Sequence, residues 1–414
     1  MSPRTGRPAD VAGVRGQNLA LLVQDVRRHG PTTRAEVSAR TGLARASLTT
    51  MVPELVTAGL LRETPGTAGP RGGRPVAPIV FDGSRMAIAS VEITVSDVLV
   101  ETADLAGRRL RLDGAPHGRP LGDPDAVVAV ITTLLDDHTR TLRELGVDLG
   151  MVVVIMPAPL AGDPPVVLAS SDFEWRRFDL LAAITALRPD LAGRCLLVND
   201  ANMATIAEAQ ALGDPGSPAP ADVVYLKSLT GIGGGVITGG RLVTGNRGIG
   251  FEPGHILVRP GGRPCVCGRH GCFIAEAGPE AVLGDAGLSA LAGSAGISVA
   301  VAELVERVRG GDPQARSAVA SAGEVIASVT LDIALTFDPA RVVLGGYWAD
   351  VFDHLGLPQT LQLGDDSFDF AWAAPEDGFI VPGRLGARAA RIGAAGHAVE
   401  QLLGTPLWLS NFMS

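Results

Sequence analysis

Three of the four cysteines of this 414-residue chain, Cys265, Cys267 and Cys272, fall within eight positions of the segment "GHILVRPGGRPCVCGRHGCF", downstream of His255. Bringing those side chains together requires a tight, glycine-supported loop, and two chemistries could close it: a disulfide or a metal ion. The compartment bears on the choice. The opening "MSPRTGRPADVAGVRGQNLA" has no apolar run after its arginines, and no stretch approaches the ~18 uncharged apolar residues that span a bilayer. A soluble, cytoplasmic protein is expected, in which clustered cysteines more often serve metal or redox chemistry than disulfides.

Charge divides the chain. Residues 1–80 hold 11 Arg against 5 Asp and Glu, a balance of +6, while the whole chain carries −9, leaving −15 for the remainder. Lys227 is the only lysine. A small basic head on an acidic body fits a polyanion-binding module joined to one that does not bind polyanions. Within the head, Leu19, Leu22, Val23 and Val26 recur at helical spacing, and "TRAEVSARTGLARASLTTMVPELVTAGLL" reads helix, turn at Gly42, helix. Ala35, Val37, Leu43, Leu48, Val52 and Leu55 are expected inside, with Arg45, Ser47, Thr49 and Thr50 outward, a set suited to a DNA major groove. The following "RETPGTAGPRGGRPVAPIVFD" reads as two short strands around a basic tip, the wing of a winged helix-turn-helix, with Arg71 and Arg74 placed for phosphate or minor-groove contact. Pro53 falls inside the second helix and is expected to kink or shorten it. Such a module can also serve protein contact; the charge asymmetry favours double-stranded DNA.

From Arg85 the body alternates strands ("MAIASVEITVSDVLVETADLAGRRL", "MVVVIMPAP", "CLLVND", "DVVYLKSL", "GGGVITGGRLV", "RVVLGG") with helices such as "DAVVAVITTLLDDHTRTLREL" and "ANMATIAEAQAL". This is an α/β pattern with two expected lobes and a cleft between them.

The order "VNDANMATIAEA", "LTGIGGGVITGGRLVTG", "GFEPGH", "CVCGRHGC", "DPARVVLGG" resembles the ROK family (repressor, open reading frame, kinase), whose members are bacterial sugar kinases and sugar-responsive repressors, the latter with a winged helix-turn-helix in front. The resemblance implies a two-lobed, actin-like (sugar kinase, ribonuclease H-like) ATPase fold, and dimers or tetramers. It implies structural zinc on His255, Cys265, Cys267 and Cys272, the Cys3His set that a four-coordinate zinc accepts; a Cys265–Cys267 disulfide would be strained and would leave a thiol unpaired. It implies sugar contacts from Asn199, Asp200, Glu252 and His255, with Asp200 the general base of family kinases. An N-cap role for Asp200 is compatible with its position. His270 and Cys195 are expected to be a surface loop residue and a buried strand residue.

Two departures shape the functional expectation. Where family kinases carry an Asp-x-Gly-x-Thr segment, this chain has "EITVSDV", with Glu92 for the aspartate and Thr94 and Val95 in place of glycines, so side chains would crowd the nucleotide phosphates. Two residues after Cys272, Ile274 stands where a glutamate is usual, with Glu276 displaced. Trp175 fits either sugar stacking or a core position. The expectation is a sugar-responsive regulator, acting as a repressor, with a vestigial Asp200 and no enzymatic activity. A sugar kinase carrying a DNA-binding head is the alternative, and a DNA-binding protein with no effector is a third. The expected divisions are 1–82 (head), 83–200 (first lobe), 201–382 (second lobe with the zinc loop) and 383–414 (C-terminal helix packing back).

Overall fold

The computed structural model describes residues 11–65, 77–213, 219–357 and 378–404. Three helices open the chain: Val11–His29, Arg34–Thr41 and Arg45–Thr57. The second is fixed at its start by a reciprocal cap between Thr33 and Glu36 and ends on Gly42, whose φ of 74° permits the sharp turn into the third. Leu19, Leu22, Val23, Val26, Val37, Leu48, Val52 and Leu55 close the core of this head. Ala35, expected inside, is exposed instead, because Val37 alone turns the short helix inward. Pro53 neither breaks nor shortens the third helix, which runs on to Thr57. It sits on the exposed side, where the carbonyl of Thr49 that loses its donor can bond to water. Strands Leu61–Glu63 and Ile79–Phe81 then pair antiparallel, and the tip between them, with Arg71 and Arg74, lies outside the described residues.

The body contains two five-stranded sheets with the same connectivity. In the first, Met86–Ile93, Asp97–Asp104 and Arg109–Pro116 form an antiparallel meander; Asp148–Met156 and then Cys195–Asn199 add in parallel on the other side of Met86–Ile93. In the second, Val223–Ser228, Ile232–Thr238 and Arg241–Leu242 form the meander, and Arg341–Gly346 and Ile380–Pro382 the parallel pair. The strands are rich in valine, isoleucine and leucine because both faces are covered.

After its last strand each half sends a helix across to the other. Asp200–Ala211 packs on Val223–Ser228 and Ile232–Thr238, and Ala389–Gly404 packs on Met86–Ile93 and Asp148–Met156; the two helices lie against each other. The approach is close: a Cβ on Gly393 would stand 1.9 Å from the carbonyl oxygen of Met203. Two glycines of "GIGGG" let the helix Asp200–Ala211 close on the sheet, since a Cβ on Gly235 would meet the Thr205 hydroxyl at 2.3 Å and one on Gly233 the Ala201 side chain at 3.2 Å.

Ala389–Gly404 also contacts the first head helix. One buried cluster therefore runs from Leu19, Leu22 and Val26 of the head through Val399, Leu402 and Leu403 to Met203, Val153 and Ile155 in the body. Among the described residues one helix, Pro313–Phe337, is long and apolar enough to cross a membrane by length and composition alone, although Glu324 and Asp332 interrupt its apolar run. Its Ala318, Val319, Ala322, Ile326, Val329 and Ile333 are buried in the second lobe, which accounts for its apolarity.

Candidate functional site

A cleft of about 280 Å³ opens between the lobes. Its walls include Glu92 to Ser96 from the first hairpin, Asp172, Asn199 and Asp200, Lys227, Leu229 to Gly234, and Phe251, Glu252 and Ile274. Asn199 ends its strand and caps the helix Asp200–Ala211: its Oδ1 accepts from the Asn202 amide at 2.9 Å, and its Nδ2 donates to the Ala158 carbonyl at 3.2 Å. The cap is thus Asn199, and Asp200 is the first helical residue. The Asp200 Oδ1 accepts from the Ala201 amide at 2.7 Å, while Oδ2 forms an ion pair with Lys227 Nζ. The positive end of the helix dipole adds to the stabilisation of that carboxylate.

Glu92 stands beside this pair. It forms an ion pair with Arg391, whose Nε also reaches Glu101 at 3.1 Å. Burial, with the Asp200 charge, raises the pKa of Glu92 despite the lowering effect of Arg391 and Lys227. The lone lysine was visible in the sequence as the sole survivor of its type; its pairing with Asp200 was not. Asp172 and Arg391 likewise carried no local signal.

Glu252 keeps a face open to solvent at the cleft mouth, yet burial of its carboxyl, helped by the nearby Asp200 charge, raises its pKa to about 7. One turn later His255 points the other way, its Nδ1 at 3.6 Å from Cys265 Sγ. It stands on the thiol side and is not among the residues lining the cleft. Cys267 Sγ and Cys272 Sγ are also 3.6 Å apart, and the four ligand atoms of His255, Cys265, Cys267 and Cys272 lie within 4.8 Å of one another. A tetrahedron of Zn–S bonds of about 2.3 Å has edges of about 3.8 Å, so this set fits a four-coordinate ion. The loop is locked by main-chain bonds from Cys265 N to Arg269 O (2.8 Å) and from Gly268 N to Cys265 O (2.9 Å). Gly271, at φ 78°, is required: a Cβ there would lie 1.6 Å from the Arg259 carbonyl oxygen. Hydrogen bonds from Arg269, first from its amide, lower the Cys267 pKa to about 7, bringing the thiolate within reach of neutral pH.

Ile274 gives the cleft an apolar wall, while Glu276 turns into the protein and accepts from the Arg263 amide at 2.6 Å, tying down the thiol loop. Trp175 is a core residue, 4.9 Å from Phe173 and 5.4 Å from Phe178 between ring centroids, and does not reach the cleft. In the head, Arg45, Thr49 and Thr50 are exposed and Ser47 half-buried. The Arg45 side chain has no ion-pair or hydrogen-bond partner among the described residues, whereas Arg15, Arg34 and Arg40 are paired with Glu54, Glu63 and Asp25.

The ROK family pattern matches residues 118–397. The chain is 33% identical to a kanosamine kinase of Amycolatopsis mediterranei over 226 residues, 54% of this chain and 69% of that protein. It is 28% identical to an N-acetylmannosamine kinase of Yersinia pestis over 270 residues, 64% and 82% respectively. Among solved structures, a ROK family transcriptional regulator homologous to the E. coli MLC protein superposes with a TM-score of 0.74 at 19% identity, over 97% of this chain and 99% of that one. Head and two-lobed, actin-like body thus share the fold of that regulator from end to end. These findings overturn the expectation that the chain is not an enzyme, since the curated relatives of its body are named sugar kinases. In the hairpin that carries Glu92, the Thr94 hydroxyl donates to the Asp97 carbonyl at 3.0 Å, and Thr94 and Val95 both line the cleft. By the extent of the family match, the chain belongs to the ROK family.

Proposed function

We propose that the chain is a sugar-responsive, DNA-binding transcriptional regulator, acting as a repressor, in which a sugar or sugar derivative in the cleft sets the affinity of the head for operator DNA. The observation that carries this reading is the unbroken buried cluster joining the head helix Val11–His29 to the C-terminal helix and the body sheets. The C-terminal helix also carries Arg391, the partner of cleft residue Glu92. A ligand engaging Asn199, Asp200 and Glu252 would alter the Asp200–Lys227 and Glu92–Arg391 pairs, while His255, turned to the thiols, would act only by holding the turn that carries Glu252. That perturbation would reach the head through one rigid helix. A homodimer or homotetramer, matching paired half-sites on DNA, belongs to this reading.

One observation favours a second reading, phosphoryl transfer to the sugar in the same cleft: Asp200 lines the cleft of a body related to named sugar kinases. Asp200 would then accept the hydroxyl proton. Incubation with ATP, magnesium and a sugar panel, read as sugar phosphate formed, separates the readings when run beside DNA binding. Turnover that needs Asp200, with no effect of sugar on DNA, would favour the kinase.

For the head, the proposal makes Arg45, Ser47, Thr49 and Thr50 the groove-facing residues and Arg71 and Arg74 the wing contacts. Arg45→Ala should cost about 1–3 kcal/mol of binding and relax the sequence preference. Arg71→Ala and Arg74→Ala should each weaken binding evenly across sequences and reduce the salt slope by about 1. Salt-dependent titrations of a DNA site selected from a random pool give both quantities, and unchanged slopes would remove the wing assignment.

For the thiol cluster, we propose zinc held by His255, Cys265, Cys267 and Cys272. Bound there, the ion would anchor the turn that presents Glu252. Elemental analysis should find about one zinc per chain, and chelation should lower the melting temperature. Metal-free protein of undiminished stability would exclude a structural ion.

A further inference from the structure

The helix Arg45–Thr57 is closed by Gly59, at φ 74°: the Gly59 amide donates to the Val56 carbonyl and the Leu60 amide to the Leu55 carbonyl, both at 3.0 Å. That turn leaves out the carbonyl of Thr57, to which no main-chain amide donates among the described residues. The last helical turn also holds no basic residue of its own to meet the negative end of the helix dipole. Both needs are met from outside the helix by Arg85, whose Nη1 donates to the Thr57 carbonyl at 3.3 Å. Gly59 makes room for this side chain, since a Cβ there would stand 2.5 Å from Arg85 Cδ.

Arg85 belongs to the body. It immediately precedes strand Met86–Ile93, and its carbonyl accepts from the Asp148 amide at 2.9 Å. The short link before that strand is tied on both sides: the Asp82 amide donates to the Leu60 carbonyl of the head at 3.0 Å, and the Leu105 amide of the body to the Gly83 carbonyl at 3.2 Å. At its far end, about 25 Å away at ~3.3 Å per residue, the strand delivers Glu92 and Ile93 to the cleft. Asp97–Asp104 and Asp148–Met156 pair with it along its length, which stiffens it. One strand thus has one end in the cleft and the other at the guanidinium that finishes the groove-facing helix. The C-terminal helix, by contrast, touches the first helix of the head.

We propose that Arg85 is a positioning residue through which strand Met86–Ile93 passes cleft occupancy to the groove-facing helix, by holding or releasing its last turn. The proposal rests on the reading that the head senses the cleft, and names the body residue that grips the helix set in the groove. Because Arg85 is exposed and makes a single side-chain hydrogen bond, its replacement should leave the fold and the cleft intact.

The test is an anisotropy titration of the full chain against a duplex selected from a random pool. It is run with and without whichever of glucose, mannose, galactose and their 2-acetamido-2-deoxy forms binds by calorimetry. Arg85→Met keeps the aliphatic stem and removes the donor, whereas Arg85→Lys keeps a cation. The sugar should change DNA affinity about ten-fold or more in the wild type and about three-fold or less in Arg85→Met. Most of the effect should return in Arg85→Lys, with the calorimetric affinity for the sugar the same in all three proteins. A wild-type response in Arg85→Met overturns the proposal. So does a loss of DNA affinity that is equal with and without sugar and accompanied by a shallower salt slope, which would make Arg85 a phosphate contact. A response that Arg85→Lys fails to recover overturns the role given to the charge. If a sugar binds yet leaves wild-type DNA affinity unchanged, the reading of the cleft by the head fails before any variant is compared. Heat from none of the sugars removes the sugar reading, and the proposal with it.

Discussion

Replacement of Arg391 by methionine should destabilise the protein by about 3–5 kcal/mol, the usual cost of leaving buried charges without their partner. The side chain is 7% exposed, and it neutralises two carboxylates on adjacent strands, Glu92 and Glu101, that have 14% and 10% exposure. Denaturant melts against pH carry the sharper signature. Burial, with help from the Asp200 charge, raises the pKa of Glu92 in the folded protein despite Arg391 and Lys227. A carboxyl whose folded pKa exceeds its unfolded one takes up a proton on folding. Its contribution therefore favours the fold below the unfolded value and is lost as pH rises through the folded value. Without Arg391 that window extends further upward, so the deficit of the variant should shrink as pH falls toward the ordinary carboxylate range. A deficit independent of pH would mean that the guanidinium contributes packing rather than charge. Because Arg391 lies on the helix that touches the head, a variant that still folds should also bind DNA with a weakened response to ligand.

The second large effect is expected at Asp200. Asp200→Asn preserves the shape of the helix start but removes a charge-assisted partner of the ligand, and should weaken ligand binding by about 1.5–3 kcal/mol, roughly 10- to 150-fold. It also leaves Lys227, 11% exposed, without its counter-ion, so a lowered melting temperature should accompany the loss. Lys227→Met in the same background should restore part of the stability and none of the ligand affinity, which distinguishes a repaired core from a repaired site. Affinity unchanged in Asp200→Asn would place the ligand elsewhere.

The features legible in the sequence were local. Cysteine spacing pointed to a convergent set of four ligand atoms because they all come from one short loop and its flanking turn. Gly42 between two amphipathic stretches announced the helix-turn-helix because a left-handed residue there has few other uses. Pro53 was expected to kink or shorten its helix and does not shorten it, because whether a lost hydrogen bond matters depends on which side faces water, and that is set by packing. The ion pairs of Arg391 join positions 290 and 299 residues apart, so no window of sequence contains them. The crossing of the two helices Asp200–Ala211 and Ala389–Gly404, which joins cleft to head, is equally non-local, although Gly393 marks their closest approach.

The central claim is that occupancy of the cleft is read by the head. It is tested most directly by fluorescence anisotropy of a duplex selected from a random pool, titrated with the full chain at fixed salt, with and without saturating sugar. The account expects the sugar to change DNA affinity at least ten-fold in the wild type and to have little effect in Asp200→Asn. A sugar that binds by calorimetry but leaves DNA affinity unchanged in the wild type would contradict it.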